Sequence, residues 1–379
     1  MVRTVAIIGT RGYPSYYGGF ETAVRRLAPY LAEQGWDVLV YGRPGTTTLD
    51  DVDRDARVRT RITHGIESRS LSTLSYGLTS SMDAVLRKPD VALVLNCANG
   101  FWLPLLKMRG IPTVVNVDGI EWDRAKWGRF AKSVFHQGAV WTARHADRII
   151  YDAEAIEARW QSEFGREGDV IPYGGDVPPD HPVEPGLTHR GYALLVARFV
   201  PENTVPEFVE AAARISRTHD VVIVGSSGYG GPLEDAVRAL ATANPRVHWF
   251  GHVNDDVRLH SLWQHAGAYF HGHSVGGTNP ALVQAMACGA PVVARDTVFN
   301  REVLREAGGF VAPEADAIAD GVLALLEDSE EQERRARLGL ERAITSYAWA
   351  EVNAAYEQSL LGAIASRRRS RSVESARRA

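Results

Sequence analysis

The stretch HSVGGTNPALVQAM, residues 273–286, is the most informative part of the sequence, because a glycine-rich turn runs directly into a capped helix. Gly276 and Gly277 allow backbone amides to approach an anion closely. Asn279 suits the N-cap of the helix, and Pro280 suits its first position. Such a helix presents free N–H groups and a partial positive charge to an anionic ligand. The stretch therefore predicts a phosphate site.

A second glycine-rich turn near the N-terminus has the same character. It consists of GTRG at residues 9–12 and GGFE at residues 18–21. The helix that follows it places Phe20, Val24 and Leu27 at spacings of four and three residues, which is typical of one apolar face. Two such loops in the two halves of the chain suggest two domains that face one ligand.

Short apolar runs alternate with helical patterns, which predicts a parallel α/β fold. The predicted strands in the first half are Thr4 to Ile8, Asp37 to Tyr41, Val91 to Asn96, Thr113 to Asn116 and Arg148 to Tyr151. Those in the second half are Tyr192 to Ala197, Val221 to Val224, Val247 to Phe250, Ala268 to His271 and Pro291 to Ala294.

The chain has 379 residues, which exceeds the usual limit of a single core and favours two domains. The proline-rich segment around residues 172–186 marks the boundary. The predicted parts are an N-terminal domain at 1–177, a C-terminal domain at 190–346, a helix at 347–365 and a basic disordered tail at 366–379. That tail carries six arginines and one glutamate.

Composition excludes several classes of protein. A net charge of −4 argues against a dedicated nucleic-acid binder. Cys97 and Cys288 have no ligand-like spacing, so neither a disulfide framework nor a zinc site is supported. No apolar run approaches the length of roughly 18 residues that suggests a membrane span. These features predict a cytoplasmic protein, peripheral at most to the inner face of the membrane.

Five motifs occur in order along the chain: GTRGYPSYYGGFET at 9–22, NVDGIEWDRAKW at 116–127, IPYGGD at 171–176, ARFVPEN at 197–203 and HGHSVGGTNP at 271–280. Together they resemble the family 4 glycosyltransferases. Those glycosyltransferases have the GT-B fold, with two Rossmann-like domains, a central cleft and a C-terminal helix that crosses back to the first domain. A bacterial subgroup that includes rhamnosyltransferases of cell-wall and capsule polysaccharide synthesis is similar in more detail.

The resemblance implies a set of donor-binding residues. They are Gly18, Gly19, Arg198, Asn203, Gly225, His273, Gly276, Gly277, Thr278, Asn279 and Gln284. Arg198 is expected to stabilise the diphosphate as the sugar bond breaks, and is therefore also a catalytic candidate. The alternatives are a surface charge for Arg198, a helix-packing turn for Gly18 and Gly19, a structural loop at 276–278 and a packed histidine for His273.

One position departs from the wider family, which has an E-x7-E motif at the capped helix. Gly276 and Gln284 replace its two acids. In the family the second carboxylate accepts hydrogen bonds from the nucleotide ribose, and an amide oxygen can also accept one. The Gln284 side chain is either in the site or solvated.

On the acceptor side the resemblance implies Asp118, Glu121 and Trp122. Asp118 follows a predicted strand, so its side chain is expected at the edge of the sheet where sites gather. It is a catalytic candidate that orients the acceptor hydroxyl or stabilises charge on the sugar. The alternatives are a common Asp-Gly turn for Asp118 and core packing for Trp122 or Trp127.

The implied activity is transfer of a sugar from a nucleotide-sugar donor to a glycan or polyprenyl-linked acceptor, with retained anomeric configuration. It requires neither a metal nor a cofactor, and no nucleic-acid partner is expected. The best candidate donor is dTDP-rhamnose. Two alternatives stay open: a degenerate protein that binds nucleotide-sugar without transfer, and an NAD-dependent dehydrogenase. The arginine tail either contacts anionic headgroups or is solvated.

Overall fold

The computed structural model describes residues 2–378 except residues 17, 48–49, 68–71, 125–126 and 229. For residue 368 and residues 370–378 it describes the backbone alone. The chain divides into two compact units. The first unit comprises Met1–Tyr173 together with Trp349–Ala379, and the second comprises Gly174–Ala348.

The first unit contains a parallel sheet in the strand order β3-β2-β1-β4-β5-β6-β7. Its strands are β1 (Thr4–Ile8), β2 (Asp37–Gly42), β3 (Arg59–Ile62), β4 (Val91–Leu95), β5 (Thr113–Asn116), β6 (Arg148–Tyr151) and β7 (Asp169–Val170). Its helices are α1 (Gly19–Glu33), α2 (Ser72–Arg87), α3 (Leu103–Met108), α4 (Arg129–His145) and α5 (Glu154–Phe164).

The second unit repeats this architecture in the order β10-β9-β8-β11-β12-β13, again parallel. Its strands are β8 (Tyr192–Val196), β9 (Asp220–Val224), β10 (Val247–Gly251), β11 (Ala268–His271), β12 (Val292–Arg295) and β13 (Gly308–Val311). Its helices are α6 (Val205–Ile215), α7 (Pro232–Ala243), α8 (Asp256–His265), α9 (Pro280–Ala287), α10 (Val298–Leu304), α11 (Ala315–Leu326) and α12 (Ser329–Ser346).

Both sheets reverse their strand order at one point, which positions the candidate sites. The reversal lies between β1 and β4 in the first unit and between β8 and β11 in the second. In open parallel sheets ligands bind beyond the carboxyl ends of the strands at such a switch point. The two glycine-rich loops singled out in the sequence follow β1 and β11, so each lies at the switch point of its own unit.

The last helix, α13 (Trp349–Arg378), belongs to the first unit. Its buried residues Val352, Tyr356 and Leu360 join the same core cluster as Leu27 of α1. The helix continues to residue 378, into the segment at 366–379 for which the sequence predicts a disordered tail. Arginine, alanine and glutamate have good helix propensity, and each residue added to an existing helix gains one backbone hydrogen bond.

Within the described part of the chain, no helix combines the length and apolar character that crossing a bilayer requires.

Candidate functional site

The turn before α9 has the geometry that its sequence predicts. Asn279 is the N-cap, and its Oδ1 accepts a hydrogen bond from the Ala281 N–H at 2.9 Å. Gly276 has a φ of 91°, a conformation that favours glycine. Gly277 and Thr278 are buried beside it. The first backbone N–H groups of α9 therefore begin at a rigid turn at the switch point of the second unit.

Asn203 joins this turn to the loop after β8. Its Nδ2 donates to the Arg198 carbonyl at 2.8 Å, so its Oδ1 faces His273. The distance from that oxygen to Nδ1 of His273 is 2.6 Å. Because an amide oxygen only accepts, Nδ1 of His273 carries the proton. Asn203 thus fixes the His273 tautomer as well as the loop, and in the neutral ring Nε2 is an acceptor.

Arg198 lies in the loop that Asn203 holds. Its side chain is exposed, and it forms no ion pair with any residue that the structure describes. A second backbone bond fixes the loop, because the Phe199 N–H donates to the Ser226 carbonyl at 3.0 Å. The guanidinium is therefore available to an anionic ligand from a fixed backbone position.

A further polar network supports His273, and sequence patterns did not point to it. Asn300 is buried, and its Nδ2 donates to the carbonyl of His273 at 3.0 Å and to that of Arg295 at 2.8 Å. Arg295 donates in turn to the Thr204 hydroxyl at 3.1 Å. Three loops at the carboxyl ends of β8, β11 and β12 are thereby connected.

His271 ends β11 and is 4% exposed. Its Nδ1 lies 3.1 Å from the Tyr269 hydroxyl, and its Nε2 is buried without a hydrogen-bond partner among the described residues. Burial lowers the pKa of His271 to about 3, since the charged form is desolvated. This imidazole therefore stays neutral at physiological pH.

Gly225 at the end of β9 is required for packing. A Cβ at this position would overlap the carbonyl oxygen of Ala197, and its φ is 132°. Its N–H donates to the Gly251 carbonyl at 2.6 Å, and its carbonyl accepts from Nε1 of Trp249 at 3.0 Å. Both backbone groups already have protein partners. Gly225 can therefore assist binding of a nucleotide-sugar donor chiefly through its lack of a side chain.

The side-chain amide of Gln284 bonds the backbone of Asp176, in the segment that begins the second unit. Its Oε1 accepts from the Asp176 N–H at 3.2 Å, and its Nε2 donates to the Asp176 carbonyl at 2.8 Å. The same Nε2 lies 3.5 Å from Sγ of Cys288. The side chain is half-buried. It is therefore a structural link within the second unit.

In the first unit, the loop after β1 is held by a buried carboxylate that sequence reasoning missed. Oε1 of Glu21 accepts from the Arg11 N–H at 2.9 Å and from the Thr10 hydroxyl at 3.2 Å. Gly18 is the N-cap residue of α1. A Cβ on Gly19 would lie 3.1 Å from the Tyr173 hydroxyl, so close packing within the first unit accounts for this glycine.

Asp118 follows β5 at the carboxyl edge of the sheet, as predicted. It has a φ of 62°, unusual for a residue with a side chain, and its N–H donates to Oδ1 of Asn116 at 2.9 Å. Asp152, which sequence reasoning missed, follows the neighbouring β6 and is buried. Burial, and then these two carboxylates, raise the pKa of the Tyr173 hydroxyl well above its usual value. Two acidic groups thus converge beside one buried phenol.

Glu121 and Trp122 do not fit the acceptor role expected of them. Both are buried. The Glu121 carboxylate lies 2.6 Å from Nε of Arg124 and accepts from Nε1 of Trp127 at 2.8 Å. Trp122 packs edge-on against Trp160, with ring centroids 6.0 Å apart. The apolar surface of Trp122 and the ion pair of Glu121 with Arg124 account for the burial of these two side chains in the core. Asp118 is half-buried at the edge of the sheet.

Comparison with known proteins agrees with this architecture. A glycosyl transferase 4-like domain matches residues 18–174, and the model of glycosyl transferases group 1 matches residues 180–341. Together the two models account for most of the chain.

Curated relatives are mannosyltransferases. The O-antigen chain mannosyltransferase B of Escherichia coli is 28% identical over 43% of this chain and 44% of its own length. The phosphatidyl-myo-inositol mannosyltransferase of Mycobacterium leprae is 31% identical over 52% of this chain and 54% of its own length. The chain therefore spans about half the length of the curated relatives that it matches.

Solved structures match over nearly the whole chain. Sucrose-phosphate synthase from Thermosynechococcus elongatus superposes with a TM-score of 0.79 at 19% identity, covering 94% of this chain and 98% of its own. The Anabaena protein HepE, solved in complex with UDP, gives a TM-score of 0.74 at 17% identity, covering 95% and 100%. At these identities the likeness shows the fold alone.

Two parallel α/β units, each with its loops gathered at a switch point, define a protein of the GT-B class. The predicted fold is confirmed. The two glycosyltransferase domains fall on these two units, and the chain belongs to the GT-B glycosyltransferases. This assignment excludes the dehydrogenase alternative.

Proposed function

We propose that the protein transfers a sugar from a nucleoside-diphosphate donor to a glycan or lipid-linked glycan, with retention of anomeric configuration. One observation carries the proposal. In the second unit, Asn203 joins the loop that bears the exposed Arg198 to the turn at the N-terminus of α9. A guanidinium and a helix N-terminus provide the fixed positive potential that a diphosphate leaving group requires.

The chemistry assigned to these residues follows from charge. As the bond between the anomeric carbon and the phosphate oxygen breaks, negative charge develops on the diphosphate, and Arg198 stabilises it. The acceptor oxygen forms the new bond to the anomeric carbon, and the departing phosphate takes the acceptor proton. His273, whose Nδ1 bonds Oδ1 of Asn203, is the residue proposed to contact a hydroxyl of the donor sugar. Asp118 is the residue proposed to orient the acceptor hydroxyl.

The proposed donor is dTDP-rhamnose, on the resemblance of five motifs to the rhamnosyltransferase subgroup. The curated relatives are named as mannosyltransferases, and HepE was solved with UDP. GDP and UDP donors therefore belong in the same test. The proposed acceptor is presented at the cytoplasmic face of the membrane, where the arginines of residues 366–379 would meet anionic headgroups.

A specific observation supports one second candidate, a protein that binds nucleotide-sugar without transfer. Gln284 stands where the wider family has a carboxylate, and its amide bonds the backbone of Asp176. This candidate predicts nucleotide binding with no consumption of any donor.

Donor binding is tested by thermal unfolding of the full chain with dTDP, UDP, GDP and NAD. A ligand at 100 times its dissociation constant adds about 2.7 kcal/mol of stability. We expect one nucleoside diphosphate to stabilise the wild type and to stabilise Arg198→Met much less. Arg217→Met is the matched control, since Arg217 is exposed in the second unit and precedes β9, at the opposite edge of the sheet. Equal stabilisation of Arg198→Met and Arg217→Met would contradict the role of Arg198.

A further inference from the structure

A buried arginine without an anionic partner lies in the first unit. Arg43 directly follows β2 and is 6% exposed. Its Nε has no hydrogen-bond partner, and its guanidinium forms no ion pair with any described residue. The guanidinium contacts an aromatic ring, since its Cζ lies 4.9 Å from the ring centroid of Tyr76 in α2.

This arrangement is energetically unusual. An arginine side chain stays protonated in proteins, so burial leaves a positive charge that water no longer solvates. A cation–π contact returns only a small part of that cost. Burial lowers the pKa of Arg43, and the positive charge of Arg11 lowers it further. The Arg43 N–H also donates to the Arg11 carbonyl at 2.8 Å, so the fold places a second arginine at the same edge of the sheet.

The backbone around the two arginines is fixed. The Arg11 carbonyl accepts from the Arg43 N–H at 2.8 Å and from the Thr46 hydroxyl at 2.6 Å. The Arg11 N–H donates to Glu21. A Cβ on Gly12 would overlap the Thr47 hydroxyl, so these loops are closely packed. The backbone positions from which the two arginine side chains start are therefore fixed, which lowers the entropic cost of holding a ligand.

No carboxylate of the described residues neutralises Arg43 by direct contact. Glu67 and Glu21 act on its charge from a distance, in that order. The Glu21 carboxylate is already engaged with the loop after β1, and Glu67 is exposed to solvent. An anion from outside the chain would supply the missing charge, and the planar guanidinium suits the paired oxygens of a phosphate or a carboxylate.

We propose that Arg43, with Arg11, forms an anion-binding site for a phosphate or carboxylate group carried by the acceptor. The identification of that group with the acceptor rests on the proposed function. The site lies beyond the carboxyl ends of β1 and β2 in the first unit, whereas the proposed donor residues Arg198 and His273 belong to the second. An acceptor that bears an anionic group is therefore preferred over a neutral glycan.

The test uses thermal unfolding of the full chain, saturated with the stabilising nucleoside diphosphate so that the donor site is filled. Inorganic phosphate and malonate are added separately, with chloride at matched ionic strength as the reference. At ten times the dissociation constant, the expected rise in Tm is about 2–4 °C. Arg43→Met keeps the apolar stem against Tyr76 and should lose this rise while keeping the nucleotide-induced rise.

Arg3→Met is the matched control. Arg3 also lies over an aromatic ring, that of Trp36, but it precedes β1 at the other edge of the sheet. We expect Arg3→Met to keep the anion-induced rise. In anion-free buffer Arg43→Met should be at least as stable as wild type, because the uncompensated charge is gone.

The outcomes are distinct. A rise with phosphate alone assigns a phosphate group to the acceptor, and a rise with malonate as well assigns a general oxyanion site. No rise in the wild type, or an equal rise in Arg43→Met, would overturn the site. If no nucleoside diphosphate stabilises the protein but Arg43 still binds phosphate, the proposed function fails and the anion site stands.

Discussion

At the scale of single residues, the hydrogen bonds of Gln284 explain why glutamine occupies a position where the wider family has an acid. The sequence suggests that glutamine replaces a donor-binding acid. The structure shows that its amide both accepts from and donates to the Asp176 backbone. A carboxylate could reproduce only the accepting half of that pair. Glutamine is therefore the residue that this backbone contact requires.

We predict that Gln284→Glu lowers the free energy of unfolding by about 1–3 kcal/mol, because a carboxylate oxygen would face the Asp176 carbonyl. Chemical denaturation at neutral pH measures the loss. Gln264→Glu is the matched comparison and should lose a similar amount, since Gln264 also bonds the backbone of this segment, accepting from the His181 N–H at 3.0 Å and donating to the Pro179 carbonyl at 2.9 Å. A stable Gln284→Glu variant with a large gain in transfer would show instead a degenerate site that lacks its acid.

The residue scale also shows where sequence reasoning stops. Asn279 was predictable as an N-cap because asparagine before proline is a local signal. Trp122 was not assignable, because an aromatic residue near a strand end suits a sugar or a core equally, and only the packing against Trp160 decides. Arg43 belongs to no motif. Its importance comes from burial and from the proximity of Arg11, and both depend on the tertiary fold.

At the scale of elements, the buried strands were the most predictable part of the fold. Uninterrupted apolar runs such as Val91–Leu95 specify strands that are covered on both faces. Of the four edge strands in the described sheets, β10 was predicted and β3, β7 and β13 were missed, for physical reasons. β3 is largely exposed and carries two arginines, β7 has two residues, and β13 begins with two glycines. Pairing with a neighbouring strand determines these segments more than their own composition does.

The C-terminal helix α13 gives a prediction at this scale. Truncation from Trp349 onward removes buried residues from the core of the first unit, so we expect that unit to lose cooperative unfolding in calorimetry. Removal of residues 366–379 alone is the matched truncation and should leave the Tm unchanged.

Removal of residues 366–379 should, however, release the protein from vesicles that contain anionic lipid, because each arginine near the surface contributes about 1 kcal/mol to membrane binding. Unchanged sedimentation with vesicles would contradict the membrane role of this segment.

At the scale of the whole molecule, the proposed roles divide between the two units. In the proposed function, the second unit would provide positive potential for a diphosphate through Arg198 and the N-terminus of α9. The first unit provides Asp118 and Asp152 at adjacent strand ends, and Arg43 beyond β2. The division into two units was predictable from length and from the proline-rich boundary segment. The specific donor was not, because donor choice depends on side-chain geometry around a ligand, and no local motif records that geometry.

The most direct test of the central claim is an NMR assay of sugar transfer. The full chain is incubated with dTDP-rhamnose, UDP-glucose or GDP-mannose and a lipid-linked glycan fraction, and the anomeric signals of donor and product are followed. We predict consumption of one donor, a product with the donor's anomeric configuration, and loss of turnover in Arg198→Met but not in Arg217→Met. A product with inverted configuration, or nucleotide binding without consumption of any donor, would contradict the account.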